Sequence, residues 1–224
     1  MQFLILGKGK TGSLVADVAR ERGHAVRSLD INDNQNASAL TAANLKGVDA
    51  VIDFTSPEAA LENMRAVLAL GGRIVVGTTG WYAHLDEMKS LAQKSGALLY
   101  GTNFSMGVQK LFRLTADLAK LEGYSFSIAE THHTSKLDAP SGTAITLREI
   151  IQSVRPCIEI PITSHRVGDA KGEHVVTASC EVDMLEIRHD AHSRRGFALG
   201  AVCGAEWLAQ KTGAWDFREI FDQL

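Results

Sequence analysis

Phe3-Leu4-Ile5-Leu6-Gly7-Lys8-Gly9-Lys10-Thr11-Gly12-Ser13-Leu14-Val15 is the stretch that decides the fold. Phe3 to Leu6 is a continuous apolar run, as expected of a strand buried on both faces. Gly7, Gly9 and Gly12 match the pattern G-x-G-x-x-G. The first glycine permits a tight turn, the second lets the backbone approach a pyrophosphate, and the third allows close helix packing. Ser13 to Arg22 reads as a helix, with Leu14, Val15, Val18 and Ala19 on one face and Gly23 as its stop. The helix start offers N–H groups and a partial positive charge to phosphates. A second strand, Ala25 to Leu29, ends at Asp30, 18 residues after Gly12. An acid there can hydrogen-bond a ribose diol. The residues that point to a dinucleotide are therefore Gly7, Lys8, Gly9, Lys10, Thr11, Gly12 and Asp30. The plainer alternative is an ordinary glycine-rich turn.

Strand and helix keep alternating downstream. Ile31 to Gly47 is polar and alanine-rich, a loop with one short helix. Val48 to Phe54 reads as a strand. Ser56-Pro57-Glu58 opens a helix, with serine as cap, proline at the first position and an acid at the positive end. It runs to Leu70. Arg73 to Gly77 and Ala97 to Tyr100 read as strands, with a helix from His84 to Lys94 between them. This pattern implies an α/β, Rossmann-like, doubly wound parallel sheet, whose ligands sit at the carboxyl ends of the strands. Gly77-Thr78-Thr79-Gly80 and Gly101-Thr102-Asn103-Phe104 follow two of those ends. Small residues there let a flat nicotinamide approach the backbone, so Gly77, Thr78, Thr79, Gly101, Thr102, Asn103 and Phe104 join the cofactor candidates. Taken alone, both stretches would read as surface turns.

After Gly101 the pattern changes. Val108 to Leu121 reads as a long helix, with Leu111, Leu114, Leu118 and Leu121 at helical spacing. Tyr124 to Ala129 reads as a strand and Thr143 to Val154 as a helix. Strand-like stretches follow at Ile158–Ile162, Thr163–Val167, His174–Glu181 and Met184–His189. They imply a second, α+β domain with a mixed or antiparallel sheet. Gly200 to Ala209 reads as helix, and Trp215 to Asp222 as a last short helix. The expected division is residues 1–103 plus 200–224 for the dinucleotide and 104–199 for the substrate. Hinges are expected near Gly101–Gly107 and Gly196–Gly200.

The 224 residues carry 23 basic and 26 acidic side chains, a net charge of −3, with 45% hydrophobic and 22% charged residues. That balance offers no basic field for nucleic acid. The apolar runs are too short to span a bilayer, and the N-terminus lacks the marks of a secretory signal. A cytoplasmic location is expected. Cys157, Cys180 and Cys203 form no C-x-x-C pair. They read as small buried hydrophobes in a reducing compartment, with no disulfide framework and no zinc site.

The second chemical signal is Glu130-Thr131-His132-His133-Thr134-Ser135-Lys136-Leu137-Asp138-Ala139-Pro140-Ser141-Gly142-Thr143-Ala144, read as a loop that feeds a helix. Ser141, Gly142 and Thr143 lie at the helix N-terminus, an anion site, and Lys136 adds a positive charge. The expected ligand is a small acid such as a dicarboxylate. His132 or His133 can move a proton near neutral pH. No third ligand is spaced to join the two histidines around a metal, so none is expected. The bland alternatives are solvated loop histidines and a serine that only caps the helix.

This string resembles the signature of the dihydrodipicolinate (4-hydroxy-tetrahydrodipicolinate) reductase family, E-x-H-H-x-x-K-x-D-A-P-S-G-T-A, at every specified position. The resemblance extends to Asp53-Phe54-Thr55, Gly77-Thr78-Thr79-Gly80 and Asn103-Phe104-Ser105-Met106-Gly107-Val108. It continues through Arg166-x-Gly168, Gly172-Glu173-His174, Ser193-Arg194 with Phe197, Gly200-Ala201-Val202 and Trp207-Leu208. It implies an enzyme of lysine and diaminopimelate synthesis that reduces a cyclic dicarboxylate imine with NADH or NADPH. Carried over by position, His132 is the proton donor and acceptor and Lys136 the second proton donor. His133, Gly142 and Thr143, with Ser141 beside them, would hold the substrate carboxylates. The resemblance also implies a homotetramer assembled through the second domain's sheet. Two departures stand out. Leu6 replaces the first glycine of the family's G-x-x-G-x-x-G turn, and the Ile31–Gly47 connection is short.

Cofactor choice follows from charge. A carboxylate at Asp30 repels a 2′-phosphate and Ile31 supplies no guanidinium, which favours NADH. Lys8 and Lys10 can attract phosphate, which keeps NADPH open. The competing readings are a dehydrogenase of another small carboxylated imine and a dinucleotide sensor without turnover.

Overall fold

The computed structural model describes all residues, 1–224. Ten strands form: β1 Gln2–Leu6, β2 Ala25–Leu29, β3 Ala50–Asp53, β4 Arg73–Val76, β5 Ala97–Tyr100, β6 Ser125–His132, β7 Ile162–Arg166, β8 Glu173–Ser179, β9 Met184–Asp190 and β10 Gly213–Asp216. The α-helices are α1 Lys10–Glu21, α2 Ala42–Leu45, α3 Pro57–Ala69, α4 Leu85–Ser95, α5 Met106–Leu118, α6 Gly142–Val154, α7 Arg195–Leu208 and α8 Phe217–Ile220. The chain divides into two units, Met1–Met106 with Arg195–Leu224, and Gly107–Arg194.

In the first unit, six strands pair in the order β10-β5-β4-β3-β1-β2, all parallel. Side chains alternate across each strand, so every strand feeds two layers. Phe3, Ile5, Ile52 and Leu99 pack against α1 and α7, through residues such as Val15 and Val202. Leu4, Val51, Ile74 and Leu98 pack on the other side against α3 and α4, through Met64, Leu68 and Met88. Both faces are covered, which is the doubly wound arrangement expected from the sequence. Helix α3 starts as read: the Ser56 hydroxyl accepts the Ala59 N–H, and Pro57 needs no acceptor. Leu6 pairs with Asp53, Asp53 with Val76 and Val76 with Tyr100. The four carboxyl ends therefore lie in line, and their following turns share one edge of the sheet.

The Trp215–Asp222 helix expected from sequence does not form as such. Gly213 to Asp216 pairs with Ala97 to Tyr100 as β10, and only Phe217 to Ile220 turns into α-helix. Helix α7 also begins at Arg195, five residues before the expected start at Gly200.

The second unit holds a mixed sheet in the order β7-β6-β8-β9, with β6–β7 parallel and the other two pairs antiparallel. Phe126, Ile128, Val176 and Ala178 form its core with Leu111 and Phe112 of α5 and Leu147 and Ile151 of α6. On the opposite face, Ser127, Thr163, His165 and Glu186 are exposed. Two expectations are corrected here. Ile158 to Ile160 form no strand; Ile158 and Ile160 are apolar because they pack against this core. Strand β6 runs on to His132, three residues past the expected end, because Thr131 pairs with Glu173 and His132 with Arg166.

No helix is long and apolar enough to cross a membrane. The cysteines are free, but they are not the buried hydrophobes expected: Cys157 is exposed and Cys180 and Cys203 are half-buried.

Phe217 tests the packing around α8. It is fully buried, with its ring centroid 4.4 Å from that of Phe104. Phe217→Ala should cost about 3–5 kcal/mol, read as a fall in the denaturation midpoint.

Candidate active site

The first unit's turn is built by steric exclusion. Gly7 has φ +94°, and a Cβ there would lie 2.3 Å from the Phe54 carbonyl oxygen. A Cβ on Gly12 would lie 1.9 Å from the Gly7 carbonyl oxygen. At Gly9 a Cβ would meet nothing within 4 Å, so the backbone is open to an incoming group. Gly9 caps α1 without any side-chain hydrogen bond, leaving the helix start to an anion. The turn opens into a cleft of about 490 Å³ lined by Gly7, Lys8, Gly9, Asp30, Ile31, Asn34, Phe54, Thr55, Ser56 and Asn63, among others. Lys10, Thr11 and Gly12 form the first turn of α1 and do not line it.

Asp30 lies at the end of β2, as expected. Its Oδ1 accepts the N–H groups of Asn32 at 2.8 Å and Asp33 at 3.2 Å. Lys8 Nζ donates to Asp33 Oδ2 at 2.9 Å and lies 3.7 Å from Asp30 Oδ2. The ammonium holds the Asp33 carboxyl below its ordinary range. Two acids and one lysine thus meet after β2, beside the cleft.

Beneath the cleft sits a network that the sequence reading missed. Asp53 is fully buried. Its Oδ2 accepts from Asn63 Nδ2 at 2.7 Å, and its Oδ1 accepts from the hydroxyls of Thr55 and Thr78, each at 2.8 Å. Burial pushes its pKa up against those bonds. Asn63 in turn accepts from Asn34 at 2.9 Å. Thr78 is therefore committed to Asp53, while Gly77 packs against the Phe54 ring and Thr79 is exposed. In the next turn Gly101 is buried against Phe217, Thr102 is exposed, and Asn103 accepts the Ser105 N–H at 2.8 Å. The Phe104 side chain belongs to the hydrophobic core, so only its backbone is left to face a ligand. Its ring packs on Phe217 because α8 folds under it.

In the second unit, Phe126, Ile128, Glu130 and His132 are the buried residues of β6, on one face. The row begins apolar and ends in a carboxylate and an imidazole. Glu130 accepts the Ser141 N–H at 3.1 and 3.2 Å, and its Oε1 accepts from Arg166 Nη2 at 3.1 Å. Burial alone would raise its pKa, but bonds from Ser141, Ser164 and Arg166 win and hold it at about 2. His174, across the β6–β8 pair, lies with Nε2 3.2 Å from the Ser141 hydroxyl and 3.8 Å from Glu130 Oε2. Burial, reinforced by His132, lowers His174 to about 4. Burial also lowers His132, with Glu130 opposing it.

The start of α6, where an anion cradle is expected, is open to solvent. Gly142 is exposed, with open space at its Cβ position, and Thr143 is half-buried beside it. Ser141 differs: it is buried, and its hydroxyl caps the Ala144 N–H. That bond is the helix-capping contact its position allows. Lys136 donates to both oxygens of Asp138, each at 2.8 Å, and His133 Nδ1 lies 2.8 Å from the Ser135 hydroxyl. Arg166 also donates to the carbonyls of Lys136 and Asp138, at 3.2 and 2.5 Å, which fixes the loop.

Donor atoms of Glu130, His132 and His174 all lie within 4.8 Å of one another. Sheet pairing thus supplies the third ligand type that spacing alone did not show. The set is nevertheless poor for a cation. Glu130 already accepts three hydrogen bonds, and the Arg166 guanidinium stands 3.1 Å from it.

A glycine turn over parallel strand ends, an acid after the second strand, and an α+β unit with a buried cluster of Glu130, His132 and His174 define a class. It is that of the two-unit, dinucleotide-dependent oxidoreductases. Within it, residues 1–104 match the family model "Dihydrodipicolinate reductase, N-terminus" and residues 107–221 match "Dihydrodipicolinate reductase, C-terminus". The chain belongs to the dihydrodipicolinate reductase family. It is 36% identical over 240 residues to the 4-hydroxy-tetrahydrodipicolinate reductase of Christiangramia forsetii, covering 100% of this chain and 99% of that one. It is 36% identical over 246 residues to the enzyme of that name from Natronomonas pharaonis, covering 98% and 99%. Its fold is shared with the dipicolinate-bound dihydrodipicolinate reductase from Paenisporosarcina sp. TG-14, at a TM-score of 0.83, 23% identity and coverage of 100% and 99%.

The buried cluster predicts an acid sensitivity with a definite sign. His174 at about 4 in the fold, against an ordinary 6.5, contributes stability in full above pH 6.5 and loses it as pH falls through 4. Glu130 at about 2, against 4.5, contributes above pH 4.5 and loses it as pH falls toward 2. Melting temperature should therefore fall from pH 6.5 to 4. His174→Phe, which cannot titrate, should flatten that part of the curve in a pH series of thermal melts.

Proposed function

We propose that this chain reduces 4-hydroxy-tetrahydrodipicolinate to tetrahydrodipicolinate with loss of water, in lysine and diaminopimelate synthesis. The chain is an NAD(P)H-dependent oxidoreductase by family. The observation that carries the reading is the cluster at 130–144, where a buried imidazole, a lysine and an exposed helix start occur together. Those groups suit an anionic, ring-shaped imine.

The Gly7–Gly12 turn, the uncapped start of α1 and Asp30 fit a dinucleotide, with Gly9 open to its pyrophosphate. Bound NAD(P)H supplies the hydride; the chain supplies binding, orientation and protons. Gly142 and Thr143 at the head of α6, with His133, take one carboxylate. Lys136 exchanges its Asp138 partner for another and is the second proton donor. His132 gives the one proton that the net reaction consumes, as water leaves the hydroxyl-bearing carbon and hydride takes its place, so the ring imine is kept in the product. In the free chain burial keeps His132 below its ordinary pKa. Two substrate carboxylates nearby raise its proton affinity, so binding loads the proton that the reaction consumes.

NADH is the preferred cofactor, because Asp30 faces the ribose position and repels a 2′-phosphate. Lys8, between Asp30 and Asp33, softens that repulsion and lets NADPH serve. The exposed face of the second unit's sheet supports assembly into a homotetramer. The reading also places the enzyme in the cytoplasm, where reduced nicotinamide cofactors are held.

His132→Ala and Lys136→Ala should each lower kcat by about 100-fold or more, with the Kd for NADH within about twofold of wild type. Loss of NADH binding in both variants would contradict the assignment of this cluster to chemistry. Asp30→Ala should raise the rate with NADPH relative to NADH, measured as the ratio of kcat/KM values.

A further inference from the structure

Glu130 and His132 project from β6 on the same buried face, two residues apart. Glu130 Oε1 takes the Arg166 guanidinium, while Oε2 lies 3.3 Å from His132 Nδ1. His132 is only 8% exposed, and its Nδ1 is buried without a hydrogen bond in the resting geometry. A buried ring nitrogen with a carboxylate oxygen at that distance is a contact that a small ring rotation completes. The other nitrogen meets something quite different. A Cβ built on Gly172 would sit 3.2 Å from His132 Nε2, and Gly172 holds φ +135°, which disfavours any side chain. His132 therefore has a carboxylate behind Nδ1 and a gap without a side chain before Nε2.

We propose that Glu130 is the positioning residue for His132: its carboxylate fixes the ring proton on Nδ1 and leaves Nε2, beside Gly172, as the nitrogen that takes and gives the proton. This rests on the reading of His132 as the proton-transfer residue. The resting ring carries its proton on Nδ1 and a lone pair on Nε2. It takes a second proton from water at Nε2 when the substrate's carboxylates arrive, and Glu130 stabilises the resulting imidazolium. It gives that proton to the substrate as water leaves and hydride takes the place of the hydroxyl, and returns to the Nδ1–H form. The charged and titratable groups around it are Glu130 on β6, Arg166 on β7, His174 on β8, and Lys136 and Asp138 in the following loop. Glu130 and Asp138 favour the imidazolium, whereas Lys136 and Arg166 oppose it. Glu130 is thus the one acid on the ring's own strand.

The test is 15N NMR of histidine-labelled full-length chain, with His132→Ala to assign the His132 signals. Neutral His132 should show the proton on Nδ1 in wild type. In Glu130→Gln that preference should weaken and the ring should titrate at lower pH. In the same variant kcat should fall at least about tenfold, with the KM for NADH unchanged. A wild-type ring protonated on Nε2 would overturn the proposal, and this holds even if Glu130→Gln does not fold. So would a tautomer and titration left unmoved by Glu130→Gln, because a lower kcat would then reflect structure alone. If His132→Ala keeps full turnover, the reading of His132 fails instead, whatever its tautomer.

Discussion

Each unit is organised around a carboxylate that water barely reaches, Asp53 in the first and Glu130 in the second. A buried charge is costly unless donors converge on it, so the surrounding chain has to deliver them. Asp53 draws neutral donors from Asn63 on α3 and from Thr55 and Thr78 in the turns after β3 and β4. Glu130 draws a backbone N–H from the start of α6 and a guanidinium from β7. With neutral partners only, burial dominates and Asp53 is pushed up. Around Glu130 the bonds from Ser141, Ser164 and Arg166 outweigh burial and hold it at about 2. In both units the acid pins the chain segments that converge on it.

That division of labour explains the arrangement of the second unit. Arg166 meets Glu130 and also two carbonyls of the loop that carries Lys136. Ser141 gives its N–H to Glu130 and its hydroxyl accepts the Ala144 N–H, so the head of α6 is held on both sides. Half-buried Lys136, paired with Asp138, and exposed Gly142 at the helix start flank that frame. Rigid support under ligand contacts is what a site for an anionic ring requires.

Much of this was legible along the chain. The Gly7–Gly12 turn could be read because its constraint is local: a Cβ at Gly7 or Gly12 collides with backbone. Ser56-Pro57 and Ser141 announce helix starts for equally local reasons. Pairing between distant strands was not legible. Gly213 to Asp216 is too short to announce a strand, and it becomes one only because β5 offers an edge. Ile158 and Ile160 looked like strand residues because burial and pairing leave the same apolar trace. Glu130, Arg166 and His174 stood in the quoted motifs, but their meeting depends on the β6–β7 and β6–β8 registers. The alternation Phe126-x-Ile128-x-Glu130-x-His132 was the available clue that the strand carries on into the site.

The most direct measurement is cofactor oxidation by the purified wild-type chain, with its substrate made in situ. Pyruvate and aspartate semialdehyde, condensed by the upstream synthase, would supply 4-hydroxy-tetrahydrodipicolinate. The account predicts oxidation of NADH that requires the synthase and both of its substrates. Binding of NADH without oxidation of either NADH or NADPH under those conditions would contradict it.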